Sequence, residues 1–390
     1  MPTSFYHGVT VTLVDTGPRT IAVPSSSIIG LVDTYTPADG LAPPNRPTLV
    51  TSYRDGVAKF GATSSIGKAL RGIYAQSSAV VVVIGVPLAG STSELTSAVI
   101  GGVTTLGQRT GLQALLDAKS ITNQTPRLVV APAHSRTQAV ATAMDSVAAK
   151  LRAIAIVDGP NTDDDAAIAY SRNFGSKRIF MVDPGLKVWD TIANATAVVP
   201  ASAYAAGLFA RTDQEYGFWA SPSNREFVEV TGTGRPIEYT YGDDTCRANL
   251  LNAAHITTVI REGGYRLWGN RTLSADSKWS FVTRVRTTDI VMDAILAGHQ
   301  WAVDRSITKT YVKDVTEGLQ AFMRDLKAAG AIINFEVYPD PELNTASQLE
   351  QGRVYWNIRF TDVPPAENPN FRVEVTNQWI TEVIDSSTSK

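Results

Sequence analysis

Apolar and polar positions follow two different periods along this chain, and the change between them divides it. Near the start, Val9, Val11 and Leu13 alternate with Thr10 and Thr12, a β-branched period of two that predicts a strand. From Ser26 to about Val188, short apolar runs are separated by helix-period segments. Ile28–Val32, Leu49–Val50, Ala79–Ile84, Leu128–Ala131, Ala153–Val157 and Ile179–Val182 read as strands, and Ala79–Ile84 is apolar throughout, as a strand buried on both faces must be. A helix carrying Ile66, Leu70, Ile73 and Tyr74, and others around 136–150 and 164–174, lie between them. This rhythm predicts an α/β fold, a doubly wound and mostly parallel sheet with helices on both faces. Residues 87–125, rich in Gly, Ser and Thr, break the rhythm and are expected to form an inserted hairpin or small lobe. Residues 189–204 read as a helix-like connector.

After Arg286 the period changes. Residues 287–303 read as an amphipathic helix with Ile290, Val291, Ile295 and Trp301 near one face. A second helix has the stripe Val315, Leu319, Phe322, Met323 and Leu326. Asp314 and Glu317 have capping-box spacing, and Gly330 is placed to stop the helix. The end alternates again: Val354, Trp356, Ile358 and Phe360 against Arg353, Tyr355, Asn357 and Arg359, then Phe371, Val373 and Val375 against Arg372, Glu374 and Thr376. Four segments result: an N-terminal arm 1–22, an α/β domain 23–280, a smaller α+β domain 281–370 and a C-terminal arm 371–390.

Composition narrows the function classes. The 390 residues are 44% hydrophobic and 18% charged, with a formal net charge of -2. Such a balance gives no electrostatic reason to expect nucleic acid or an anionic membrane as a partner. Cys246 is the single cysteine, so no intrachain disulfide can form, which suits assembly at a reducing site. Met1–Phe5 lacks the basic and apolar regions of a secretory signal, and Ala79–Ile84 is far too short to span a bilayer. The expectation is a protein folded in the cytoplasm, with no direct membrane insertion.

Candidate chemistry is sparse. Asp158-Gly159-Pro160 and Asp183-Pro184-Gly185 follow predicted strands, where a doubly wound sheet places its ligands, and the two aspartates could hold a metal or act as acid and base. The same tripeptides are ordinary strand-ending turns. Gly61–Ala69 superficially matches a phosphate loop, but five residues separate its glycines and Ala69 stands where a Mg²⁺-binding hydroxyl is needed, so a Ser-capped helix start is the better reading. His7, His134, His255 and His299 are scattered, no Gly-x-Ser-x-Gly elbow exists, and Asp163-Asp164-Asp165 sits where carboxylates favour a helix start. No cofactor is expected. Lys309, Lys313, Arg324 and Lys327 form a basic group around the second helix, either a solvated face or a contact for an acidic partner.

The stretch from Tyr204 to Arg286 is the most distinctive. It holds Arg211, Asp213, Trp219, Trp268, Arg271 and Trp279, tryptophans within a few residues of arginines, which suits a rigid packing cluster or a protein contact surface. Gly207–Pro222 and Gly263–Val285, with the opening Phe5–Val11 and the closing Asn334–Val337 to Thr361–Asp362, resemble contractile tail sheath proteins, close to those of R-type pyocins and related temperate contractile-tailed phages. The resemblance runs essentially end to end. It implies a non-catalytic subunit of subtilisin-like topology that stacks as six-membered rings around an inner tail tube and contracts, with baseplate and tail terminator proteins as further partners, in a virion tail or a tailocin particle. It also implies that the arms, here Val9, Val11 and Leu13 at one end and Phe371, Val373 and Val375 at the other, add as strands to neighbouring subunits. The basic group would face the tube. The competing reading is a doubly wound hydrolase or ligand-binding enzyme using Asp158 and Asp183.

Overall fold

The computed structural model describes residues 21–88, 90–380 and 382. Its elements in chain order begin with β1 (Ile29–Tyr35), β2 (Thr48–Val50), α1 (Tyr53–Phe60), α2 (Ser65–Gln76), β3 (Val81–Pro87), α3 (Thr92–Ile100) and α4 (Ala118–Thr122). Next come β4 (Leu128–Val130), α5 (Gln138–Leu151), β5 (Ile154–Asp158), α6 (Asp164–Ser171), β6 (Ile179–Val182), β7 (Leu186–Asp190), β8 (Ala195–Val199) and α7 (Ala201–Tyr216). The remainder is β9 (Val230–Thr233), α8 (Arg247–Ala253), β10 (Thr258–Arg261), β11 (Tyr265–Trp268), α9 (Val282–Gly298), α10 (Lys309–Ala328), β12 (Ile332–Pro339), α11 (Ala346–Glu350) and β13 (Trp356–Asp362).

The main sheet has the order β2-β3-β1-β4-β5-β6, with β2 antiparallel and every other pairing parallel. Alternate residues of its strands feed two cores, as the pleat requires. Leu31, Val83, Val130, Ile156 and Phe180 face α2 and α7, whereas Val32, Val82, Val129, Val157 and Met181 face α5 and the segment from α3 to α4. Helices on both faces make the continuous apolar strands possible. Ser64 caps α2, accepting a hydrogen bond from the Gly67 amide at 2.9 Å, so the Gly61–Ala69 stretch is a helix start.

Residues 87–125 carry the crossover that takes the chain from β3 over β1 to β4. Val99 of α3 and Leu112 and Leu115 of a 3₁₀ turn (Gly111–Asp117) are fully buried on the sheet. Residues 101–110 form a small hairpin-like excursion, with a bridge between Val103 and Arg109. The helix-like connector expected at 189–204 is instead the β7–β8 hairpin followed by the start of α7. Leu186 and Val188 face inward while Lys187 and Trp189 face out, a period of two, and the Asp190 carboxylate turns the chain by accepting the amides of Ile192 and Ala193.

In the smaller domain α10 packs on the antiparallel pair β12–β13. All five predicted stripe residues, Val315, Leu319, Phe322, Met323 and Leu326, are buried there, joined by Ile290, Val291 and Ala294 of α9. The helix starts earlier than the expected capping box. Thr308 is its cap, accepting from the Tyr311 amide at 3.1 Å, so Asp314 and Glu317 lie within the helix. Gly330 follows the last turn at φ 81, the left-handed position a stop glycine takes. Val9, Val11 and Leu13 lie outside the described residues.

Candidate functional site

At the carboxyl ends of the strands, both candidate aspartates are consumed by structural bonds. Asp158 accepts the Ser202 amide (2.9 Å) on Oδ1 and the Ser202 hydroxyl (2.6 Å), Ser135 hydroxyl (3.3 Å) and Ala133 amide (3.2 Å) on Oδ2. It thereby anchors the first turn of α7 to the end of β5. Asp183 is fully buried, accepts the Asn161 amide at 2.8 Å and pairs with Arg235. Burial pushes its carboxyl above the ordinary range, with Arg235 opposing. A Cβ on Gly159 would lie 2.5 Å from Asp183 Oδ1, so the space beside the carboxylate is already filled by backbone. Among the described residues no group of three or more His, Cys, Asp or Glu is placed to hold a metal. Asp33 meets His134 Nε2 at 3.0 Å, but the Ser135 hydroxyl is bonded to Asp158. This geometry ties elements together, each carboxylate bridging separate segments of the chain.

Of the six residues expected to cluster between Arg211 and Trp279, Trp219, Trp268 and Arg271 line one groove, while Arg211, Asp213 and Trp279 make separate contacts. Arg211 donates to the Glu226 carbonyl. Trp219 packs edge-on against Phe218 at 4.9 Å, beside the smaller domain's core. Trp268 packs at a tilt against Tyr239, ring centroids 5.0 Å apart, and Trp279 lies under the Lys177 ammonium at 3.8 Å. Arg271 forks onto Glu367 at 2.8 and 2.6 Å. Asp213 belongs to a different assembly of residues, one that periodicity alone did not bring out.

That assembly is a charged seam along α9. Arg286, Asp289 and Asp293 lie three and four residues apart, hence on one side of the helix, and each is buried against the α/β domain. Arg286 pairs with Asp213, the two side chains only 4% and 3% exposed, and Ser26 completes the site by donating to Asp213 at 2.6 Å. Asp289 takes both arms of Arg178. Asp293 accepts Arg152 Nε at 2.7 Å, and Arg127 comes within 2.7 Å of the same carboxylate without hydrogen-bond geometry. Burial pushes Asp289 up, against Arg178, and pushes Arg127 down, against Asp293. An adjoining side of α9 supplies Ile290, Val291 and Ala294 to the smaller domain's core, so one helix joins the two domains. The charges recur in the sequence at i, i+3 and i+7, but locally nothing distinguishes them from a solvated face.

The basic group is arranged on one helix. At about 100° per residue, Lys309, Lys313, Arg324 and Lys327 fall within roughly 60° of one another on the exposed side of α10. All four are exposed. Lys313 lies 3.7 Å from Glu317, and Lys327 donates to Asn334 Oδ1 at 3.0 Å. Lys309 at the N-terminal end opposes the helix dipole, whereas Lys327 in the last turn complements it. Beside α10, β12 and β13 form a two-stranded sheet that pairs with no other described strand. Beyond it Phe371, Val373 and Val375 are 85%, 87% and 96% exposed and form no strand within this chain.

Comparison with known proteins matches residues 107–273 to the phage tail sheath protein central domain and residues 274–376 to the phage tail sheath C-terminal domain. Residues 26–86 match the tail sheath protein Gp18 domain III N-terminal region. A sequence assigned as the prophage major tail sheath protein of Pseudomonas aeruginosa (strain UCBPP-PA14) is 70% identical over 98% of this chain and 99% of its own length. The tail sheath protein of Escherichia phage P2 is 35% identical over 99% of each. The fold is that of the anti-feeding prophage helical sheath in its contracted state, with a TM-score of 0.72 at 19% identity, covering 95% of this chain and 99% of that one. The sheath of an extracellular contractile injection system in its contracted state gives 0.71 at 16% identity, covering 96% and 98%.

Proposed function

Because the chain belongs to the phage tail sheath family, we propose that it polymerises as stacked six-membered rings around an inner tail tube and contracts to drive that tube through a cell envelope. Its working parts are surfaces, and its chemistry is assembly. The observation that carries the reading is the C-terminal arm, whose apolar alternate residues Phe371, Val373 and Val375 are left in solvent by their own chain. Exposed alternating apolar residues next to a two-stranded sheet with no further partner are a strand waiting for an edge. We assign that edge to β12–β13 of a neighbouring subunit, and residues 9–14 to the same role from the other end. The main sheet, with β3 between β2 and β1, is in keeping with the subtilisin-like topology that the resemblance implies.

The basic face of α10 is assigned to the tube. Each contact with an acidic tube residue is individually weak, and the set repeats at every subunit, so the attraction is collectively large yet can release when the sheath widens. Assembly in the cytoplasm, with a baseplate below and a terminator above, completes the proposal.

The arms provide the test. Deleting residues 1–14 or 371–390 should leave a folded core, because neither the two main cores nor the α10 core draws on residues 371–380. Electron microscopy should then find no long polymers from either truncation. Full-length sheaths from a truncated chain would overturn the assignment of the arms.

A further inference from the structure

Between β13 and the exposed arm runs Val363-Pro364-Pro365-Ala366-Glu367-Asn368-Pro369. Three prolines fix φ and make this segment a stiff strut. It skirts a groove of about 1410 Å³ whose other wall includes Tyr239, Asn249, Trp268 and Arg271. The strut is held at two points. At its base Asp362 takes Arg284 Nε on both oxygens, at 2.9 and 3.0 Å. Further along, Glu367 takes the two-pronged bond from Arg271. Arg271 is itself fixed: its backbone bridges to Phe281, its guanidinium lies 5.5 Å from that ring, and the Val282 amide bonds to the neighbouring Asn270 carbonyl. Both arginines therefore come from the short stretch 271–284 that leads into α9. Glu367 is also the last described residue whose side chain bonds to a distant part of the chain. Beyond it, the side-chain and backbone bonds of the described residues are local.

We propose that the Arg271–Glu367 pair is a clamp that sets the direction in which the C-terminal arm leaves the subunit, and that arm exchange between subunits depends on it. A strut held only at Asp362 could swivel about that point; a second fixed point removes this freedom. The pair does little for the fold itself, since residues 363–369 contribute to no core and the two side chains are 35% and 40% exposed. What remains for a bidentate pair at that site is orientation. An arm that starts in the required direction loses less conformational freedom when it pairs with a neighbour's edge. The inference rests on the sheath reading, and its test separates the two.

Compare the parent with Arg271→Glu, Glu367→Arg and the double exchange Arg271→Glu/Glu367→Arg. In the free subunit, spin labels at Asn249→Cys and Asn370→Cys in a Cys246→Ala background report the position of the arm's base below the polymerising concentration. The distance distribution should at least double in width in each single variant and return to the parent's in the exchange. In the unlabelled series, each single variant should raise the concentration needed for polymer at least fivefold, with the exchange restoring it to within twofold. An unchanged distance distribution in the single variants overturns the clamp, whatever the polymer does. So does parental polymerisation by both, or failure of the exchange to rescue. A parent that never polymerises would instead count against the sheath reading, and the distances would still decide whether the pair orients the arm.

Discussion

Asp164 lies between two guanidiniums, receiving Arg235 Nη2 at 2.7 Å and Arg247 Nε at 2.7 Å. Partial burial raises its carboxyl, but these bonds more than reverse that and hold it below its ordinary value of 3.8. A depressed folded value means stability that is present above 3.8 and lost as pH falls through the folded value. Asp183 and Asp289 have the opposite sign. Burial holds them above 3.8, so their titration favours the folded state most at low pH and loses that advantage as pH rises through their folded values. Asp164→Asn should therefore lower the thermal midpoint at pH 6 and converge on the parent as pH falls below about 4. Thermal unfolding followed by circular dichroism across that range checks it; a gap that widens in acid would contradict the assignment. Only part of this was visible in the chain. Asp163-Asp164-Asp165 signalled a helix start, and Asp163 does cap α6, but Arg235 and Arg247 lie too far along the sequence for local pattern to pair them with Asp164.

Helices α9 and α10 show where element-level reading succeeds and where it stops. The five stripe residues of α10 follow from a period of 3.6 and are buried as a set. Its start did not follow, because Thr308 and Asp314 are both competent caps and only packing chooses between them. For α9 the apolar side was legible in Ile290 and Val291, whereas its charged side was not, because Arg286, Asp289 and Asp293 look like a solvated face until Asp213, Arg178, Arg152 and Arg127 come to meet them. The tryptophans cluster only in part: Trp219 and Trp268 line one groove with Arg271, while Trp279 packs under Lys177 against the main core. Breaking a buried pair strands its partner, so Asp289→Ala should cost about 3–5 kcal/mol, measured by denaturant unfolding. A loss under about 1 kcal/mol, the range of exposed pairs, would show that the seam is solvated. On α10, reversing Arg324→Glu and Lys327→Glu together should impair assembly around a tube while leaving tube-free polymer intact, as scored by microscopy of both reactions. Normal assembly around the tube would remove the basic face from the account.

At the scale of the whole molecule, the proposed function requires a subunit that moves without deforming. Two cores on the main sheet and a third under α10 are joined through α9, one side of which carries buried ion pairs and an adjoining side apolar residues. A body of this kind transmits rotation in the proposed cycle, with the exposed arms as the joints. In the proposed cycle the extended sheath is metastable, held by a kinetic barrier and by its tube, and contraction releases energy through contacts that improve when subunits turn. Gly61–Lys68, the one stretch with a superficial likeness to a nucleotide loop, is a Ser64-capped helix start. The most direct measurement is cryo-electron microscopy of the polymer formed by the purified full-length chain, without tube and without nucleotide. The account predicts tubes in the contracted arrangement, with residues 371–375 paired as a strand against β12–β13 of a neighbouring subunit. Discrete globular particles, a requirement for nucleotide, or polymers in which the arm stays on its own subunit would contradict it.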